Sequence, residues 1–300
     1  MDFERPTERR ASDMTQFGLL DCGGRSLDLS RPCVMGVINV TPDSLSDGGR
    51  FVTLDAALRQ GERLAAEGAD ILDLGGESTR PGSLGVSVQV EIDRVVPVIE
   101  ALAARVELPL SVDTSKSEVM RAAVSAGAGF INDVHALQRP GSLEAALALA
   151  VPVCLMHMRG TPTTMQLAPG YVDPVEEVAC FLERRVAACE AAGIPRSRLL
   201  LDPGFGFGKT LAHNLALLGG LERLGHLGLP LLVGLSRKSM IGALTGREVG
   251  DRLAGSLAAA VLAVERGARL IRVHDVAVTR DALAVAWGLM QAQEGDSIEG

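Results

Sequence analysis

Short apolar runs, each followed by a polar or Gly/Pro-rich loop and then an Ala/Leu-rich helical segment, recur eight times along this 300-residue chain. The runs read as strands at Cys33–Val40, Asp70–Gly75, Leu110–Asp113, Phe130–Val134, Val153–His157, Leu199–Asp202, Leu231–Leu235 and Leu270–His274. Helical patterns lie between them at Leu54–Glu67, Gln89–Ala104, Ser117–Ala126, Ser142–Ala150, Pro174–Ala192, Leu211–Leu224, Asp251–Arg266 and Thr279–Met290. Gly68, Gly127, Gly193 and Gly267 follow several of these as stop signals. Alternation of this kind yields a parallel sheet, either open and doubly wound or closed into a barrel. Eight units favour the barrel.

The polar residues at the strand ends favour closure too. Asn39, Asp113, Asn132, His157, Asp202 and the pair Arg272/His274 all end apolar runs. Strands lie ~4.8 Å apart, so the outermost two of an open sheet in chain order would be roughly 30 Å apart. Reordered open sheets gather only the strands flanking a switch point. Closure turns every strand end towards one pocket. The expected fold is therefore α/β, a single (β/α)8 TIM barrel over residues 15–293 with an N-terminal β-hairpin. That hairpin is read from Phe17–Leu20 and Leu27–Leu29 around Gly23-Gly24. Residues 1–14 read as a disordered extension and 294–300 as a frayed acidic tail.

Composition narrows the class. Hydrophobic residues make up 47% of the chain and aromatics 3%, so the core must be aliphatic. The charge of −8, from 29 basic and 37 acidic residues without a basic tract, argues against nucleic acid as a partner. An anionic substrate must then be drawn by a local cluster of cations. Five cysteines without C-x-x-C or metal-like spacing fit a reduced, cytoplasmic chain. The start MDFERPTERR has no apolar signal region, and no apolar run reaches the ~20 residues of a membrane helix, so no membrane partner is expected.

Leu270–Val276 reads as a buried strand, yet a period-2 backbone sets Arg272 and His274 on one face of it. Two such groups inside a fold are costly unless an anion meets them. Asn39, leading into the polar loop 40–49, suits a hard cation or a phosphate oxygen; an Asx cap is the alternative. Arg80, in a second Gly/Ser/Pro-rich loop, can close over an anion or be a solvated surface charge. Asp113 and Asn132 offer acceptors and donors to an aminopyrimidinone edge, although Asp113 could instead cap the helix near Ser117. His157 lacks the partners of a zinc set and reads as structural or pocket-lining. Gly208-Lys209-Thr210 is not a phosphate-binding Walker loop, because Pro203 stands where that loop needs glycine. What remains there is Asp202 and a flexible glycine loop presenting Phe207, either to stack on a flat ligand or to pack in the core. Arg237 and Lys238 together make an anion-competent corner. A flat polar heterocycle with a phosphate tail would use the whole set.

In order from the first strand to the eighth, VMGVINVTPDSLSDGG, DLGGESTRPG, SVDTSK, IND, LMHMRGTP, DPGFGFGK, GLSRKSMIG and RVHDV make the chain resemble the bacterial dihydropteroate synthases, over about residues 17–290. The resemblance implies a Mg2+-dependent transfer in folate biosynthesis. In it, para-aminobenzoate displaces pyrophosphate from 6-hydroxymethyl-7,8-dihydropterin diphosphate to give 7,8-dihydropteroate, and sulfonamides compete. It further implies a pterin set of Asp113, Asn132, Asp202 and Lys238, a diphosphate and metal set of Asn39, Arg272 and His274, and aminobenzoate contacts from Thr79, Arg80, Phe207 and Ser239. Catalytic roles fall to Arg272, His274, Lys238 and Asp202, the metal to Asn39, and a homodimer is expected through the Ala-rich last helices. Leu45 departs from the family's usual phenylalanine, which implies altered affinity for aminobenzoate and sulfonamides. The rivals are a methyltetrahydrofolate methyltransferase domain, which would lack the two loops and the Arg-x-His pair, and a non-catalytic pterin-binding paralogue.

Overall fold

The computed structural model describes residues 17–41, 50–78, 82–83, 85–160, 165 and 170–294, without the side chains of 50–53 and 294. The extension 1–14, Leu45, Thr79, Arg80 and residues 295–300 of the tail lie outside the described residues.

A short antiparallel hairpin comes first, β1 (Leu19–Asp21) with β2 (Ser26–Asp28), Leu19 facing Asp28. Then follow β3 (Cys33–Asn39), α1 (Arg50–Ala66), β4 (Ile71–Gly75), α2 (Val88–Ala103), β5 (Leu110–Asp113), α3 (Ser117–Ser125), β6 (Phe130–Asp133), α4 (Ser142–Leu149) and β7 (Val153–Met156). The second half holds α5 (Pro174–Ala191), β8 (Leu199–Asp202), α6 (Leu211–Gly219), α7 (Leu221–Gly225), β9 (Leu231–Val233), α8 (Ser239–Thr245), α9 (Leu253–Glu265), β10 (Ala268–Val273) and α10 (Val276–Glu294). β3 to β10 close as a parallel barrel, β10 pairing with both β9 and β3.

The expected alternation is borne out, with local differences. The helix read over 211–224 breaks into α6 and α7 at Gly219-Gly220, a point of low helix propensity. α8 is an additional helix inside the connection after β9. β7 ends at Met156 and β10 at Val273, so His157 and His274 stand just beyond their strands. Helix starts follow capping chemistry: Asp173 accepts from Val175 and Glu176 N–H before Pro174, and Thr210 and His213 cap α6 reciprocally.

Strand periodicity sorts the side chains into two layers. Val34, Leu72, Leu74, Val112, Ile131, Val153, Leu199, Val233 and Ile271 point outward and pack against the helices. Each such aliphatic side chain contributes about 1.5–3 kcal/mol when fully buried. Met35, Ile71, Phe130, Cys154, Leu200, Leu232 and Leu270 instead fill the barrel's interior near its amino end. The hairpin plugs that end through Cys22, Leu27 and Leu29, which join the same buried cluster. Gly129 makes this contact possible, since a Cβ there would run into the Cys22 carbonyl. Arg25 staples the hairpin with hydrogen bonds to the Leu108 and Ala103 carbonyls, both 2.6 Å. Among the described residues no helix is long and apolar enough to cross a membrane.

Two residues further along each strand, a rise of about 6.6 Å, the interior changes character. Ile71 gives way to Asp73, Phe130 to Asn132, Leu200 to Asp202 and Leu270 to Arg272. The carboxyl end of the barrel is thus polar by the same period that keeps its amino end apolar.

Candidate active site

The centre of this polar layer is Arg272. Its Nε donates to Asp73 Oδ2 at 2.6 Å and its Nη2 to Asp113 Oδ2 at 2.9 Å. Burial alone would lower the guanidinium's pKa, but Asp73 and then Asp113 hold it above the ordinary range. The anions that meet this arginine are therefore first of all the barrel's own carboxylates. Among the described residues Nη1 carries no hydrogen bond. Asp73, fully buried, also accepts from Ser111 Oγ at 2.6 Å and from Asn132 Nδ2 at 3.2 Å. It ties β4, β5, β6 and β10 into one network.

Asp73 is the residue that sequence reasoning passed over. The signal was present: an acid inside the apolar run ILDLG, in phase with Ile71 and Gly75, has the same character as Arg272 in its own strand. Asp113, by contrast, was read with an open alternative. It does not cap α3, whose N-cap is Lys116, and turns into the barrel. Its Oδ1 is buried and has no hydrogen-bond partner among the described residues. Burial pushes this carboxyl upward against the pull of Arg272.

Asp202 ends β8 and accepts the Gly204 N–H at 2.7 Å. Burial raises its pKa to about 6, against that hydrogen bond and the charge of Lys238. The Lys238 ammonium lies 4.3 Å from the centroid of the Phe207 ring, a cation–π arrangement. Burial brings Lys238 down to about 8, with Asp202 opposing. The glycine loop between them is pinned by hydrogen bonds. Gly206 N donates to Asn214 Oδ1 at 2.8 Å, Phe207 N to Gly204 O at 3.1 Å, and Lys209 Nζ to the Gly204 and Phe207 carbonyls at 2.8 and 3.1 Å. Gly204 has φ +68°, and a Cβ there would collide with the His157 carbonyl. Phe207 is accordingly held half-exposed on a fixed turn and not packed in the core.

The Arg237/Lys238 corner divides. Arg237, with φ +60°, turns away and grips Asp275 with Nε at 3.1 Å and Nη2 at 2.6 Å, while Lys238 faces Asp202. Beside it Ser236 Oγ lies 3.0 Å from His274 Nδ1 and accepts the His274 N–H at 3.3 Å, which orients the imidazole. Asn39, at the end of β3, pairs in register with Gly75, and Ser239 is exposed at the first turn of α8. His157 is buried against Lys209 and, among the described residues, belongs to no group of three or more metal-binding side chains.

The second loop is anchored at its base. Lys116 Nζ bonds Glu77 at 3.1 Å, the Val86 carbonyl at 2.9 Å and the buried Glu91, and Glu77 Oε1 accepts from Val86 N at 2.8 Å. The described stem residues Glu77, Ser78, Ser83 and Gly85 line one cavity with Asp113, Thr114 and Ser115.

The arrangement offers a buried acceptor at Asp113, a second carboxylate at Asp202, an aromatic face with an ammonium beside it, Arg272 at the centre bonded to Asp113, and His274 just beyond the end of β10. Comparison with known proteins gives the family. The family model described as "Pterin binding enzyme" matches residues 35–274. The dihydropteroate synthase of Escherichia coli K12 is 53% identical over 276 residues, covering 92% of this chain and 98% of the relative. Among solved structures, Xanthomonas albilineans dihydropteroate synthase with 4-aminobenzoic acid superposes with a TM-score of 0.87 at 60% identity, covering 92% of this chain and 99% of that one. The same organism's enzyme in complex with 7,8-dihydropteroate gives 0.84 at 58% identity, covering 91% and 99%.

Proposed function

The chain belongs to the dihydropteroate synthases, a family of pterin-binding enzymes, and from that premise we propose how its residues share the work. The reaction joins 6-hydroxymethyl-7,8-dihydropterin diphosphate to para-aminobenzoate, giving 7,8-dihydropteroate and pyrophosphate. The C–O bond to the diphosphate breaks with its electrons on the leaving group. A C–N bond to the arylamine forms, and the amine nitrogen gives up a proton.

The observation that carries the pterin assignment is the buried, unpartnered Oδ1 of Asp113. A lone acceptor in that setting costs about 1–3 kcal/mol, which a donor on the pterin's aminopyrimidinone edge recovers. Asp202 takes further pterin donors, Lys238 a carbonyl or ring nitrogen, and Asn132 completes the edge. Both carboxylates also favour positive charge developing on the dihydropterin as the diphosphate departs. Arg272 Nη1 and His274 face the leaving group, while Arg272's other nitrogens remain with Asp73 and Asp113. Phe207, Lys238, Ser239 and the loop residues Thr79 and Arg80 bound the aminobenzoate, so its contribution to rate is positioning.

Asn39 supplies a neutral oxygen suited to Mg2+, and the described residues hold no cluster of acidic, His or Cys ligands. A single neutral oxygen of this kind would suit an ion that draws its other ligands from the diphosphate and water. When bound, Mg2+ offsets charge on the departing diphosphate.

A homodimer through the last helices is part of the same reading. Val278, Val285 and Leu289 are exposed on one face of α10, with Leu253 and Leu262 exposed on the adjoining α9. Five unpaired cysteines accord with a cytoplasmic location.

The deciding experiment is pyrophosphate release, which should require para-aminobenzoate and Mg2+ together. Tight pterin binding with no release under those conditions would instead favour the binding paralogue.

A further inference from the structure

Lys209 is 3% exposed, yet among the described residues its ammonium meets no carboxylate directly. Its three hydrogen-bond partners are His157 Nδ1 at 2.9 Å, Gly204 O at 2.8 Å and Phe207 O at 3.1 Å. All three donors of an ammonium are therefore spent on two carbonyls of one glycine loop and one imidazole from the neighbouring strand end. A buried ammonium is costly, and an aliphatic residue would fill the space at less expense. What the charge secures is geometry, because three donors at a single atom fix both ends of the turn Gly204–Phe207 against β7.

The imidazole is held in turn. His157 N donates to the Asp202 carbonyl at 2.9 Å, and its ring stands edge-on to Phe181 at 4.9 Å. Burial, and then the charge of Lys209, push its pKa down to about 3, so the imidazole stays neutral and can offer Nδ1 to the Lys209 ammonium as an acceptor. The charged groups acting on Lys209 are Asp202 from β8 and Lys238 from the β9–α8 connection, and Arg159 beyond β7 acts on His157.

We propose that Lys209 is a positioning residue for aminobenzoate: with His157 as its anchor, it sets the Phe207 ring in register with the Lys238 ammonium and thereby builds the platform on which the arylamine lies. This deepens the reading that Phe207 bounds the aminobenzoate and rests on it. It assigns a function to two buried residues, Lys209 and His157.

The test uses Lys209→Met, His157→Leu and His157→Asn, the last keeping an amide oxygen near the position of Nδ1. In Lys209→Met the KM for para-aminobenzoate should rise about tenfold, equivalent to about 1.4 kcal/mol, with kcat and the affinity for the pterin diphosphate changed by less than about twofold. His157→Leu should move KM in the same direction, and His157→Asn should restore it. A general loss of fold would lower kcat through the active fraction and leave KM in place. Should Lys209→Met not accumulate as folded protein, the two histidine variants carry the comparison. Backbone amide exchange at Phe207 and Gly208 is the second readout: faster exchange in Lys209→Met and His157→Leu is expected whether or not the native protein turns over. Unchanged exchange with unchanged KM overturns the assignment, as does a parallel fall in pterin affinity. Native protein that releases no pyrophosphate, yet shows the exchange difference, would overturn the proposed reaction and leave the turn's anchoring intact.

Discussion

Arg272 and Asp73 are 199 residues apart in sequence and 2.6 Å apart at the barrel's carboxyl end. The contact makes the guanidinium part of the pterin pocket's framework as well as a group that faces the leaving diphosphate. Asp73 accepts from Ser111, Asn132 and Arg272, so one carboxylate aligns three strands around the fourth.

Replacing this arginine should therefore do more than weaken the hold on an anion. Arg272→Ala leaves Asp73 and Asp113 buried without their cation, which typically destabilises a protein by about 3–5 kcal/mol. Denaturant unfolding should show that loss, and calorimetry should show weaker binding of the pterin with or without its diphosphate. From sequence alone Arg272→Ala is expected mainly to weaken the diphosphate form relative to the dephosphorylated pterin, and equal losses for both would remove the anion assignment. Unchanged stability would contradict the carboxylate pairing.

Asp202 gives a pH dependence whose sign is fixed by its shift. Its folded pKa of about 6 lies above the unfolded value of 3.8. The contribution to stability is fully present below the unfolded value and is lost as pH rises through about 6. Pterin binding runs the other way, since the ionised carboxylate is the acceptor, so affinity should fall as pH drops through the same point. Asp202→Asn should flatten both curves. Melting temperature and pterin affinity measured in parallel from pH 4 to 7 would show it, and parallel slopes of the same sign would refute it.

Glu91 is fully buried and has one ion-pair partner among the described residues, Lys116. Lys116→Met should cost about 3–5 kcal/mol by stranding that carboxylate. The double variant Lys116→Met/Glu91→Leu should recover most of the loss. A double variant as unstable as the single one would show that the network's value lies in the loop stem and not in the charge pair.

On α10, Val285 is 77% exposed and Leu289 57%. Val285→Glu and Leu289→Glu together should convert a dimer to a monomer in sedimentation without changing the melting of the barrel core. Native protein that sediments as a monomer at micromolar concentration would remove the dimer from the reading.

Much of this molecule is legible along the chain. The alternation of strand and helix, the closure argued from polar strand ends, and the positions of Asp113, Asn132, Asp202 and Arg272 follow from local periodicity. Periodicity says which face a side chain takes, because that is settled by its own backbone and its immediate neighbours. It does not say which side chain it meets across the barrel. Arg272's engagement by Asp73 and Asp113, the separation of Arg237 from Lys238, and the rigid turn that Lys209 and His157 impose on a run of glycines were decided only by tertiary structure. Strand register and barrel closure bring distant segments within hydrogen-bonding distance, and the cost of burying an unpaired charge then selects which of them pair.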